Sequence, residues 1–129
     1  MEKEQKILLK QKEALEAKAE VAKKYLAIDK QMLIDTANKY GINFEFDADT
    51  GDILNYTVEM EKLFNELTQA EEEMNNLSTK EKQDEFKEKN IAPIEEKISE
   101  LKEAISIYDE TKESLEDYEN EIQEAFWAW

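Results

Sequence analysis

The sequence has no cysteine and no histidine, and all seventeen of its basic residues are lysine. Each absence removes a class of chemistry. Without a thiol there is no cysteine nucleophile, disulfide or thiolate metal site. Without imidazole there is no side chain that ordinarily titrates near neutral pH, and no nitrogen ligand for a zinc-type centre. Without guanidinium there is no planar fork for bidentate phosphate recognition. Two glycines and one proline in 129 residues leave few sites for sharp turns, and aromatic residues make up only 9%. No apolar run approaches a membrane span, and the start, Met1-Glu2-Lys3-Glu4-Gln5-Lys6, lacks the apolar core of a signal peptide. The composition argues against an enzyme, implies no cofactor, and favours a structural or interaction protein.

What the sequence has in quantity is charge, 39% of all residues, with a net of −16. The charge is uneven. Residues 1–40 hold nine lysines and seven acids, net +2, and the remainder holds eight lysines and twenty-six acids, net −18. The acidic part would repel phosphates, so no direct nucleic-acid binding is expected. The same repulsion opposes an anionic membrane surface.

Periodicity points to helix. Residues 2–40 contain no glycine or proline and are rich in good helix formers. Leu8, Leu15, Ala19, Ala22, Leu26, Leu33, Ala37 and Tyr40 recur in steps of three, four or seven, which places them on one stripe. Gly41 suits the left-handed residue just past the helix. The long first helix (1–41) would measure roughly 58 Å, a length normal for a coiled coil.

At 42–55 the period shortens to two. Phe44 and Phe46 alternate with polar residues, Asp47-Ala48-Asp49-Thr50-Gly51-Asp52 is turn chemistry, and Ile53-Leu54-Asn55-Tyr56 reads as a returning strand. This predicts a short β-hairpin whose apolar residues lie on helix ends. Asn55 is placed to cap the second segment, 56–90. Met60, Leu63, Leu67, Ala70, Met74 and Leu77 form its heptad stripe, and Ser78-Thr79-Lys80-Glu81 matches a capping box, which predicts a break near 78. Pro93 then opens the last helix (91–129) and disfavours helix at Ala92.

That last helix carries the most regular pattern. Ile94, Leu101, Tyr108, Leu115, Ile122 and Trp129 are each seven apart, with Ile98, Ile105 and Phe126 four residues after three of them. Lys112 and Glu119 occupy the intervening positions and are expected to pair with charges or reach the edge. The seam can close within one chain or between chains, so self-association is expected to supply part of its burial. The fold class is mainly α: long antiparallel helices in a coiled-coil bundle with one short β-hairpin insertion. The first helix is expected to run against the second segment because their connection is short.

Two clusters resemble metal sites and fail on spacing. Asp47, Asp49 and Asp52 suggest a calcium loop, but starting at Asp47 puts Gly51 at position 5 and Val58 at position 12, and starting at Phe46 puts Phe at position 1. Glu71-Glu72-Glu73 lies off the apolar stripe, and there is no histidine to complete a di-metal helix site. Neither cluster is assigned a metal.

The stretch from Phe44 through Asp47, Gly51, Ile53 and Asn55 to Tyr56 resembles the F-x-x-D-x-x-G-x-I-x-N-Y hairpin of tail tape-measure proteins of long-tailed phages and prophages of Gram-positive bacteria. Here the turn is longer by Thr50, and Asp52 stands where Asn is common. In that family, too, the motif lies between long helices, and the Pro93-started helix continues the likeness. The resemblance implies a segment of a longer chain, extended in the tail tube, whose length sets tail length during assembly. It implies tail tube and tail-tip proteins as partners, a location in the virion or, during assembly, in the bacterial cytoplasm, and no catalytic residue. Two other classes stay open. A cellular coiled-coil scaffold or spacer would share the heptads without needing the hairpin. An acidic DNA mimic should be a compact monomer with two phosphate-spaced rows of acids.

Overall fold

In the computed structural model the described residues are 2–127, with side chains described over 3–125. Four α-helices follow in order: α1 (Glu2–Lys39), α2 (Tyr56–Asn75), α3 (Lys80–Phe86) and α4 (Ala92–Trp127), with a π-helical turn at Lys87–Ile91 between the last two. The class is mainly α. The chain divides into two compact units. Unit 1 comprises Met1–Leu33 with Ile105–Trp129, and unit 2 comprises Ile34–Ala104.

Unit 1 is an antiparallel helix pair. The Thr111 hydroxyl of α4 donates to Asp29 Oδ2 of α1 at 2.5 Å, and residues 13–23 of α1 share a recess with Glu119 and Ile122 of α4. Residue numbers on the two helices therefore run in opposite directions. Ala19, Ala22 and Leu33 are buried on α1, and Ile105 and Tyr108 on α4. The partner of the first helix in this unit is thus α4, where the sequence suggests the second segment. Seam length explains the choice: the α1 stripe is long, and α4 alone offers a heptad stripe of comparable length.

Unit 2 holds the end of α1, the loop 42–55, α2, α3, the π-helical turn and the start of α4. Ala37, Ile42, Phe44, Met60, Leu63, Ala70, Ile91, Ile98 and Leu101 are buried there. Helix α1 ends in a Schellman motif. Ile42 N–H donates to the Ala37 carbonyl at 2.9 Å and Gly41 N–H to the Asn38 carbonyl at 3.0 Å. Gly41 takes φ +73°, a backbone conformation that L side chains rarely adopt. Ile42 and Ala37 are both buried beside this cap, which is the apolar contact that usually accompanies it.

The predicted β-hairpin does not form; no strand occurs among the described residues. Residues 42–55 make a loop with one isolated antiparallel bridge, Phe46 to Ile53. Side chains occupy the groups a longer ladder would use. Asn55 accepts from Glu45 N–H at 2.8 Å and donates to the Asn43 carbonyl at 2.9 Å. Asp47 Oδ1 accepts from the N–H groups of Asp49 and Thr50, both at 2.8 Å. Such local bonds compete directly with secondary structure. Asn55 does occupy the N-cap position of α2, but its side chain makes no capping bond there, being committed to the loop.

Two further boundaries differ from the sequence reading. The break after α2 is present, but the cap of α3 is Thr79, whose hydroxyl accepts from Lys82 N–H at 3.2 Å; Ser78 and Glu81 make no capping box. At Ala92 the backbone is helical (φ −54°, ψ −42°) despite Pro93. The chain widens by one residue instead of breaking: Ala92 N–H donates to the carbonyl of Lys87, five residues back. A proline ring crowds the carbonyl four residues before it in α geometry, and a widened turn relieves that crowding.

Leu101 has no exposed surface, so Leu101→Ala should cost about 3 kcal/mol, whereas half-buried Leu115 should cost about 1 kcal/mol on the same change. Urea unfolding followed by circular dichroism measures both. Equal losses would show that the seam is not packed as described.

Candidate functional site

The structure distributes the sequence-selected seam residues between the two units. In unit 2, Ile98 and Leu101 are buried and Ile94 is half-buried; in unit 1, Ile105 and Tyr108 are buried and Leu115 and Ile122 are half-buried. The Phe126 side chain lies outside the described residues, as does Trp129. On α2, Met60 and Leu63 are buried, and Leu67, Met74 and Leu77 are half-buried. Of the loop residues, Phe44 is buried, Phe46, Asp47, Gly51 and Ile53 are half-buried, and Tyr56 is exposed. Lys112, on the seam, lies 3.9 Å from Glu116, and Glu119 is exposed. Ile98, Leu101, Ile105 and Tyr108 are thus buried within a single chain, without a second copy.

The loop residues serve the loop itself. Gly51 adopts φ +74°, and its N–H donates to the Asp47 carbonyl at 2.9 Å. Asp47 is held below its ordinary 3.8, first by the hydrogen bond from Thr50 N–H, then by that from Asp49 N–H. Its carboxylate is satisfied by backbone donors. Among the described residues no group of three or more acids is arranged to hold a metal ion. No helix there is long and apolar enough to cross a membrane.

Two features were not singled out from the sequence. The first is a polar cluster in unit 2. Tyr40 Oη donates to Glu100 Oε2 at 2.5 Å, and Lys39 Nζ lies 3.5 Å from the same oxygen. Lys97 and Lys39 sit 5.7 and 5.1 Å from the Tyr40 ring centroid, within cation–π range. The Tyr40 hydrogen bond, and with it the Lys39 charge, holds the Glu100 carboxyl below its ordinary 4.5 against the opposing effect of burial. The bond to Glu100 raises Tyr40 above 10.0, and the bond to Tyr40 raises Lys39 above 10.5. Nothing in the residue spacing pairs position 40 with position 100; only the tertiary fold does.

The second feature is a groove of about 600 Å³ in unit 1, between α1 and α4. Ala17, Val21, Ala22 and Tyr25 line it from α1, and Thr111, Ser114 and Tyr118 from α4; Lys18, Asp29 and Glu110 are also at its walls. On α1 an exposed apolar set accompanies the buried one: Ile7, Val21, Tyr25, Ile28 and Met32 are each at least half exposed. Ile7, Val21 and Ile28 fall on multiples of seven. The spacing that marks this second stripe is plain in the sequence, but the sequence reading follows only the first. A groove between two helices is a surface against which a further helix face can pack.

The Glu100 cluster has a pH signature. A carboxyl held below its ordinary value contributes stability that is present above pH 4.5 and is lost as pH falls through the lower folded value. Glu100→Gln should therefore lower the melting temperature at pH 7. The gap from the parent should narrow as pH falls below 4.5 and close once pH has passed through the lower folded value, where both side chains are neutral. Thermal melts from pH 7 to pH 3 give the comparison; a gap independent of pH would remove the carboxylate from the account.

In comparisons with known proteins, no family, no curated protein and no solved structure matches the chain.

Proposed function

We propose that the chain is a non-enzymatic structural segment, a self-associating coiled-coil spacer of the phage tail tape-measure type, acting through helix length and helix-face contacts. The observation that carries this reading is the pair of uninterrupted helices, 38 and 36 residues long, with apolar stripes along them. At a fixed rise, each helix spans roughly 55 Å. In a spacer, length is the function, and the chemistry has only to keep the helices paired.

The loop between α1 and α2 supports the same reading. Four of the six motif residues that resemble the tape-measure hairpin have a local structural task. Phe44 is buried, Asp47 and Asn55 satisfy backbone groups, and Gly51 takes the left-handed turn position. A motif committed in this way fits a joint in a scaffold better than a ligand site. In the tape-measure role the partners are tail tube and tail-tip proteins, and the chain belongs in the virion.

Deleting the gene in its native cell and imaging induced particles by electron microscopy tests the proposal. Tails should be missing or altered in length, and mass spectrometry should find the chain in parental particles. Normal tails without the gene, or a chain confined to a cellular structure, would assign it to a cellular scaffold instead.

A further inference from the structure

We propose that the groove between α1 and α4 of unit 1 receives the same face of a second copy of the chain, about a two-fold axis parallel to the helices. This rests on the reading of the chain as a self-associating structural coiled coil and gives that association a place. It is not the place the sequence suggests, since the middle of the α4 seam is already covered within the chain.

Three observations lead to a helical occupant and then to this one. The exposed residues Ile7, Val21 and Ile28 share one heptad register, with Ala14 at the position between the first two and Tyr25 four after Val21. That is the spacing by which one helix packs on another. Between the helices the groove is lined by the small side chains of Ala17 and Ala22, which leaves room for incoming knobs. Finally, the two walls differ in charge. Lys18 lines the α1 side, and Lys10 and Lys24 stand seven residues either side of the lining residue Ala17; the one acid lining that side, Asp29, accepts the Thr111 hydroxyl across the groove. Glu110 lines the α4 side, with Asp117 seven residues after it and Glu121 seven after the lining residue Ser114.

A face with one basic and one acidic wall is matched by a face with the same two walls exchanged. A wholly acidic partner, or an anionic lipid surface, would meet the α4 wall with like charge. A second copy turned about an axis along the helices lays its α4 over the first copy's α1, antiparallel, on both sides of the interface. The other in-plane two-fold axis would set α1 against α1, lysine against lysine. The Asp29–Thr111 hydrogen bond fixes the level of one helix against the other, and a rotation about the long axis preserves level. Lys18 is then level with Glu121 of the partner subunit, and Lys24 with Asp117 of the partner subunit.

Sedimentation equilibrium on the full chain, from about 1 to about 300 µM, tests this. The parent should dimerise, and more weakly at high salt. Val21→Glu should weaken the dimer at least ~30-fold, as a charge placed at the centre of an apolar contact does. Val21 is half exposed in the single chain, so helix content by circular dichroism should be unchanged. Lys24→Glu should weaken the dimer about 5-fold, and adding Asp117→Lys should restore it. A parent that stays monomeric at about 300 µM would overturn the groove and the self-association reading together. A dimer that withstands both Val21→Glu and Tyr25→Glu would leave self-association standing and overturn the groove. Failure of the Asp117→Lys rescue would overturn the proposed axis.

Discussion

A chain that is 39% charged can bury apolar area only along narrow stripes, and the α4 stripe is the one on which both units draw. Ile98 and Leu101 anchor unit 2; Ile105 and Tyr108 anchor unit 1. On α1 the buried residues of unit 1 are mostly small, Ala19 and Ala22 beside Leu33. Small residues on one helix and large ones on the other let the axes approach while the large side chains fill the space between. No polar or charged residue is among the buried ones described. An apolar heptad stripe alone leaves register weakly specified, because a shift of seven residues presents a similar face. Polar ties at the stripe edges supply what it lacks: Asp29 with Thr111 in unit 1, and Tyr40 with Glu100 in unit 2. Part-buried single ties of this kind add only modestly to stability, so fixing register is the part they play best.

The features legible in the sequence are those set by local rules. The stripe Leu8 to Tyr40 needs only a 3.6-residue period, and none of its members is exposed. Gly41 at the end of α1 needs only the steric rule for positive φ. Elsewhere two local rules compete, and the sequence does not say which prevails. Alternation at Ile42, Phe44 and Phe46 favours strand, but the turn-forming side chains of Asp47 and Asn55 take the backbone groups first, and a single bridge remains. Pro93 marks a helix break by its missing N–H, yet the π-helical turn at Lys87–Ile91 absorbs it, because burying Ile91 and Ile98 rewards a continuous helical path. Pairing of α1 with α4 lies beyond any local rule. It depends on which stripes match in length, as does the meeting of Tyr40 with Glu100.

The candidate site was half legible for a related reason. The seam on α4 reads directly, but its middle, Ile98 to Tyr108, is covered inside the chain and there acts as a structural element. The groove carries the opposite lesson. Its apolar members on α1 are interleaved with lysines, so in sequence they look like the ordinary exposed residues that every helix has. Only when α4 covers the first stripe does the second stand out as an uncovered apolar strip of unit 1. Val21 illustrates this: it adjoins the buried Ala22 in sequence but stays half exposed, because successive helical residues point about 100° apart.

The charge asymmetry takes its meaning from the same geometry. A net charge of −16 would set copies of the chain against each other if charge acted at long range. At physiological salt the screening length is about 8 Å, less than the width of one helix. Repulsion between distant acidic faces is therefore largely removed, and what each helix meets within a few ångströms decides association. Along the groove those neighbours are mostly lysines on the α1 wall, with Asp29 among them, and acids on the α4 wall. Spread evenly, the same residues would leave every face mildly acidic and every approach mildly repelled. Concentrating lysine on α1 makes one face of unit 1 dipolar across its width, and that dipole is what the proposed pairing with a second copy uses to select one orientation.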